Sequence, residues 1–166
     1  MSIILKNGRG QLGSLLKNKI SNYDCEQDIY VYHTWNIDDK SEKTQEREYQ
    51  KFIKFVDNNK HRVVFISTKS EKQSWYVYYK QLAEAYLIQN CDDCLVLRFP
   101  TIVGSKGTLQ LLKYKKIKPY GIMELISIDN VIEHIFDNLK YNKNSKILSF
   151  EGQKITAKLV CEILDI

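Results

Sequence analysis

The sequence predicts an α/β fold, a parallel sheet with helices on both faces. Three observations carry that expectation. RVVFIST (Arg62–Thr68) and CLVLRF (Cys94–Phe99) are continuous apolar runs between polar flanks, the pattern of strands covered on both sides. Such runs alternate with stretches whose apolar residues recur at helical spacing, as Tyr49, Phe52, Ile53 and Val56 do. A first short strand also ends in a glycine-rich turn that opens a helical stretch.

The elements follow in order. SIILK (Ser2–Lys6) is a β-favouring run, stopped by NGRGQLG (Asn7–Gly13), and GSLLKNKI (Gly13–Ile20) is helical. DIYVYHTW (Asp28–Trp35), rich in β-branched and aromatic residues, is the second strand. Glu42–Asn58 is an amphipathic helix, and Arg62–Thr68 is a buried strand. Trp75–Asn90 is the next helix, with Tyr79, Leu82, Ala83 and Tyr86 on one stripe. Cys94–Phe99 is a strand closed by Pro100. Thr108–Lys116 is helical, and Ile122–Ile128 holds a short strand or turn. Asp129 is placed to cap a helix over Asn130–Leu139. KILSFEG (Lys146–Gly152) and Thr156–Leu164 supply a last strand and helix. There is no internal repeat, linker or low-complexity tract.

At 166 residues, 43% hydrophobic and 27% charged, the chain is expected to form one domain spanning 1–166. It holds no uncharged apolar run of about 18 residues and no signal-peptide pattern at its start, so a cytoplasmic location is expected. Four cysteines with a single close pair argue against a disulfide framework. Cys91-x-x-Cys94 lacks a second pair to complete a zinc site and precedes a strand rather than a helix, so it reads as a loop. The net charge of +5 is scattered; its one concentration, Lys113–Lys118, reads as a solvated lysine face before it reads as a nucleic-acid contact.

Two patterns carry chemistry. Gly8, Gly10 and Gly13 have the Gly-x-Gly-x-x-Gly spacing that brings backbone N–H groups to a pyrophosphate, or that simply packs a strand tightly against a helix. Tyr76 and Lys80 lie one helical turn apart. An ammonium so placed stabilises a phenolate, and a hydroxyl at the preceding strand end, Ser67 or Thr68, can polarise a substrate oxygen. The bland reading is two side chains on a wet helix face in a chain with eleven tyrosines. His33, at the end of a buried-looking strand, reads as a histidine satisfied by the backbone.

Taken in order, NGRGQLG, DIYVYHTW, VVFIST, YVYYKQLAEAY, LVLRFPTIVG and ISIDNVIEHI resemble the extended short-chain dehydrogenase/reductase group, the nucleotide-sugar epimerases, dehydratases and reductases. The resemblance implies a Rossmann-like domain reduced in strand number, with a minimal substrate region after about residue 104. It implies Tyr76 as acid/base, Lys80 as the group that lowers its pKa and holds a nicotinamide ribose, and Thr68 at the substrate oxygen, with Ser67 as the fallback. Gly8, Gly10, Gln11, Leu12 and Gly13 would hold NAD or NADP, a nucleotide sugar would be the substrate, and helices 42–58 and 75–90 would form a homodimer. The departures are as specific. Asn7 stands for a glycine, only 14 residues separate Gly13 from Asp28, and Lys69 and Ser70 replace the paired acids of dehydratases. The adenine-side strands are thus expected to be missing. Epimerisation or reduction in polysaccharide or glycan synthesis ranks above dehydration, and a catalytically silent binding or regulatory module is the alternative.

Overall fold

The computed structural model describes residues 2–6, 10–21, 28–59, 62–104, 120–139 and 145–164. Gly8, Cys25, the 108–116 helix and the Lys113–Lys118 cluster lie outside them.

Five parallel strands form the main sheet in the order β1 (Ile3–Leu5), β2 (Ile29–Tyr32), β3 (Arg62–Thr68), β4 (Cys94–Phe99) and β7 (Lys146–Ser149). The register aligns Val64 with Val31 and with Leu95. Side-chain alternation sends Val31, Val64, Ile66, Leu95 and Leu97 to one face and Tyr32, Val63, Phe65, Cys94 and Val96 to the other. The first face is covered by α1 (Gly10–Ile20) and α4 (Ile128–Leu139), the second by α2 (Glu42–Asn58) and α3 (Trp75–Asn90). The expected architecture is therefore present, and α2 and α3 have the bounds the sequence indicates.

Successive strands β1 to β4 step in one direction across the sheet, yet α1 lies on the opposite face from α2 and α3. The β1–α1–β2 connection consequently has the opposite hand from the next two. Such connections are right-handed in about 98% of cases, and here the β4–β7 connection, whose α4 lies on the same face as α1, shares the hand of the first. A chain that continued from α1 to strands beyond β1 would keep the usual hand. Among the described residues β1 pairs only with β2.

Several boundaries differ from the sequence reading. β2 ends at Tyr32 rather than Trp35, because Asn36 accepts the backbone N–H groups of Asp38 and Asp39 and turns the chain out of the sheet. A second sheet, β5 (Thr101–Val103), β6 (Ile122–Ser127) and β8 (Gln153–Thr156), was not anticipated as a sheet; β6 pairs parallel with β5 and antiparallel with β8. It precedes α5 (Ala157–Leu164). Asp129 does not cap α4: the helix starts at Ile128, and the Ser127 hydroxyl accepts the Asn130 N–H at 3.1 Å. Lys69 joins the two sheets, donating to Glu124 at 2.9 Å and Glu151 at 2.6 Å, while Glu124 also accepts the Gly152 N–H. Lys69 and Ser70 thus open the loop after β3, and the first of them is engaged in this junction.

Candidate functional site at the β3–α3 junction

β3 delivers Ser67 and Thr68 to the carboxyl end of the sheet, the end where parallel α/β folds place ligands. A short loop then leads to Ser74, whose extended backbone and side chain cap α3 by accepting the Val77 N–H at 3.3 Å. Starting the helix there sets Tyr76, Lys80 and Glu84 at i, i+4 and i+8, in one line toward the sheet.

Each of the three meets a different partner. The Tyr76 phenol is hydrogen-bonded to Thr68, and burial pushes it up to about 12, against the lowering effect of that bond. The Lys80 ammonium lies 5.9 Å from the Tyr76 ring centroid, 4.8 Å from that of Trp35 and 4.6 Å from that of Phe65, and it donates to the Ile66 carbonyl at 2.8 Å. The residue is only 4% exposed. Desolvation pulls its pKa down to about 7, with Glu84 and Glu48 opposing. Glu84, 3% exposed, accepts from Ser67 and from a bidentate Arg98, whose Nε stands 3.1 Å from both carboxylate oxygens.

The structure therefore brings Tyr76, Lys80 and Thr68 together. It separates Ser67 from them: that hydroxyl turns to Glu84, and Thr68 is the one that meets the phenol. His33 stands near Lys80, its pKa held low by burial and by that ammonium. A backbone hydrogen bond at the ring opposes that lowering, while its buried Nε2 has no hydrogen-bond partner among the described residues.

Trp35 is the residue sequence reasoning missed. It follows His33 where the resembling family carries small residues, and its indole covers the Lys80 ammonium. Gln45, 0% exposed, fixes it there: Gln45 accepts the indole N–H at 2.7 Å and donates to the Asn36 and Asp39 carbonyls. The signal was in the sequence, a bulky aromatic in place of a small residue. Glu84 was legible too, as the next member of the i, i+4 series.

On the glycine turn, Gly10 has φ +79° with open space around it, so conformation rather than crowding requires glycine. Gly13 is buried in α1, Leu12 packs on the core, and the Gln11 carboxamide lies against Gly104 at the end of β5. Cys91 and Cys94 sit at the opposite end of the sheet. Their thiols share a hydrogen bond that helps draw Cys91 down to about 7 and push Cys94 up. No group of three metal-ligating side chains occurs among the described residues.

A nicotinamide group is poorly matched to these residues. The lysine that would hold its ribose is enclosed by Trp35 and Phe65 and engaged with Ile66, and no described strand beyond β1 offers an adenine wall.

No protein-family model and no curated protein sequence matches the chain. Solved structures do. The Bordetella bronchiseptica enzyme WbmG in complex with NAD superposes with a TM-score of 0.77 at 11% identity, covering 98% of this chain and 76% of that one. A dTDP-4-dehydrorhamnose reductase from Clostridium acetobutylicum gives 0.74 at 13% identity, with 100% and 81% covered. UDP-N-acetylglucosamine 4-epimerase from Bacillus cereus gives 0.72 at 15% identity, with 96% and 81% covered. The chain has the Rossmann-like fold of these extended short-chain dehydrogenase/reductase structures.

Proposed function

We propose that this chain is a reduced, catalytically silent protein of that fold, which serves polysaccharide or glycan synthesis by binding a nucleotide-linked sugar without transferring hydride. The neighbours supply the substrate class: they include a UDP-N-acetylglucosamine epimerase and a dTDP-4-dehydrorhamnose reductase. One observation carries the silent reading, the enclosure of Lys80 under Trp35. An acid/base tyrosine needs its neighbouring cation to favour the phenolate, and a desolvated amine with a pKa near 7 is half discharged at neutral pH. Tyr76, desolvated by its own burial, moves up rather than down. What remains is a hydroxyl pair, Thr68 and Tyr76, able to exchange hydrogen bonds with a sugar.

Epimerase or reductase activity with NAD or NADP is the second reading, favoured by the Thr68–Tyr76 hydrogen bond. Thermal unfolding in the presence of UDP- and dTDP-linked sugars, NAD and NADP separates the two. The silent module is expected to gain stability with a nucleotide sugar and none with either dinucleotide. A dinucleotide shift, together with turnover lost in Tyr76→Phe, would establish the enzyme instead.

A homodimer through α2 and α3 belongs to the same proposal, supported by the exposed Trp75, Tyr78 and Ile88 on α3. Sedimentation of Tyr78→Glu against the parent chain tests it. Cytoplasmic residence is likewise proposed; no described helix is long and apolar enough to cross a membrane.

A further inference from the structure

A recess of about 480 Å³ opens on the α2 face between the ends of β1 and β2, and it shares no residue with the Thr68–Tyr76–Lys80 group. Its wall is aromatic: Tyr32, 1% exposed, stands edge-on to Phe55 with ring centroids 4.9 Å apart. Around that wall stand three ammonium groups, Lys6, Lys51 and Lys54. The single acid in the lining, Glu48, is buried and already bound to Lys51 at 2.6 Å. Two positive charges are left without a counter-charge in the lining. Lys6 is held over the recess, its ammonium 5.8 Å from the Phe55 ring centroid.

Position on the helix makes this an arranged surface. Glu48, Lys51, Phe55 and Asn58 follow at three- and four-residue steps, so one face of α2 presents its buried ring and its cations to the same space. Excess charge in a concave, low-dielectric site focuses the field and concentrates anions. The volume falls within the usual range for small-molecule sites, roughly 300–1,000 Å³.

We infer that this recess is a binding site for a small phosphate-bearing anion of the pyrophosphate or nucleoside diphosphate class, the phosphates meeting Lys6 and Lys54 beside the Phe55–Tyr32 wall. The inference is independent of the proposed function, since it uses neither Tyr76 nor Lys80. Calorimetric titration of the whole chain with inorganic pyrophosphate, at low and at high salt, tests it. Saturable, salt-weakened binding is expected, retained in Tyr76→Phe and reduced on the order of tenfold or more in Lys6→Gln/Lys54→Gln. The control Lys17→Gln/Lys43→Gln removes the same charge from exposed positions away from the recess and is expected to leave binding intact. Absence of pyrophosphate binding, or equal losses in the two double variants, overturns the inference. Loss in Tyr76→Phe alone would place the anion at the β3–α3 junction and overturn it equally. Unchanged circular dichroism and melting temperature of the double variants confirm that binding, not folding, is being read.

Discussion

The two faces of the main sheet are built from different chemistry. Under α1 and α4 the buried residues are apolar, from Ile3 and Leu16 through Val64 and Leu97 to Val131, Ile135 and Leu139, apart from Arg62 at the start of β3. Under α2 and α3 an aromatic cluster of Tyr32, Phe52, Phe55 and Phe65 is accompanied by buried Gln45, Glu48, Ser67, Lys80 and Glu84. Burying such groups costs free energy unless each is paired, and here most of them are, through Trp35, Lys51, Glu84, Ile66 and Arg98. An apolar face can be had more cheaply, as the other side of the same sheet demonstrates. The polar set is therefore where a function is expected to reside, and the apolar face is where stability comes from.

Breaking one polar pair should give the largest effect. Arg98→Met leaves the buried Glu84 carboxylate with Ser67 as its remaining hydrogen-bond donor, and is expected to cost about 3 kcal/mol in urea unfolding, at the lower end for buried pairs because Arg98 is 34% exposed. Arg98→Met/Glu84→Gln should recover part of that loss. A cost below about 0.5 kcal/mol for the single variant would mean that the polar face is not the expensive one.

Next in size is a pH dependence. Lys80 loses its proton near pH 7 in the folded protein, whereas the unfolded chain keeps it to the ordinary 10.5. Between those values the unfolded state binds more protons, so stability rises with pH across the window from about 7 to about 10.5. Relative to Lys80→Met, the parent chain should gain roughly 2 kcal/mol between pH 7 and 9. Trp35→Ala, which admits water to the amine, should shift the rise to higher pH. Tyr76 acts oppositely and higher up: folded, it holds its proton to about 12, so its contribution falls from about pH 10 upward. Parallel pH profiles for the parent and Lys80→Met would show that the amine is not desolvated and would remove the main support for a silent site.

The apolar face should respond in a plainer way. Ile135→Val, at a position with 0% exposure, is expected to cost roughly 1 kcal/mol, independent of pH over the same window. A pH-dependent cost there would erase the contrast between the faces.

How far the sequence reveals these faces depends on the range of the interactions involved. β3 and β4 are legible because both sides are buried, and α2 and α3 because their apolar stripes are local. The second sheet is not, since β5 and β8 are short and all three strands are mostly half-buried or exposed, without a buried apolar run or clean alternation. Tyr76, Lys80 and Thr68 are legible from spacing and family order. Their electrostatics are not: Trp35 and Phe65 reach Lys80 from other elements and enclose it, and the desolvation pulls its pKa down to about 7. Only the three-dimensional contact turns an apparent catalytic lysine into an enclosed one.

The smallest expected effect separates local from tertiary signals on the apolar face itself. Asp129 looks like the cap of α4, and its charge in the first turn does complement the helix dipole, but the accepting oxygen belongs to Ser127. Ser127→Ala removes that acceptor and should cost about 0.5–1 kcal/mol, the low end for caps because the bond is exposed. Asp129→Asn changes only the dipole interaction and should cost about 0.3 kcal/mol, falling further with added salt. Chemical denaturation of both variants orders them. If Asp129→Ala proves more costly than Ser127→Ala, the helix begins two residues later than observed and the boundary inferred from sequence was the better one.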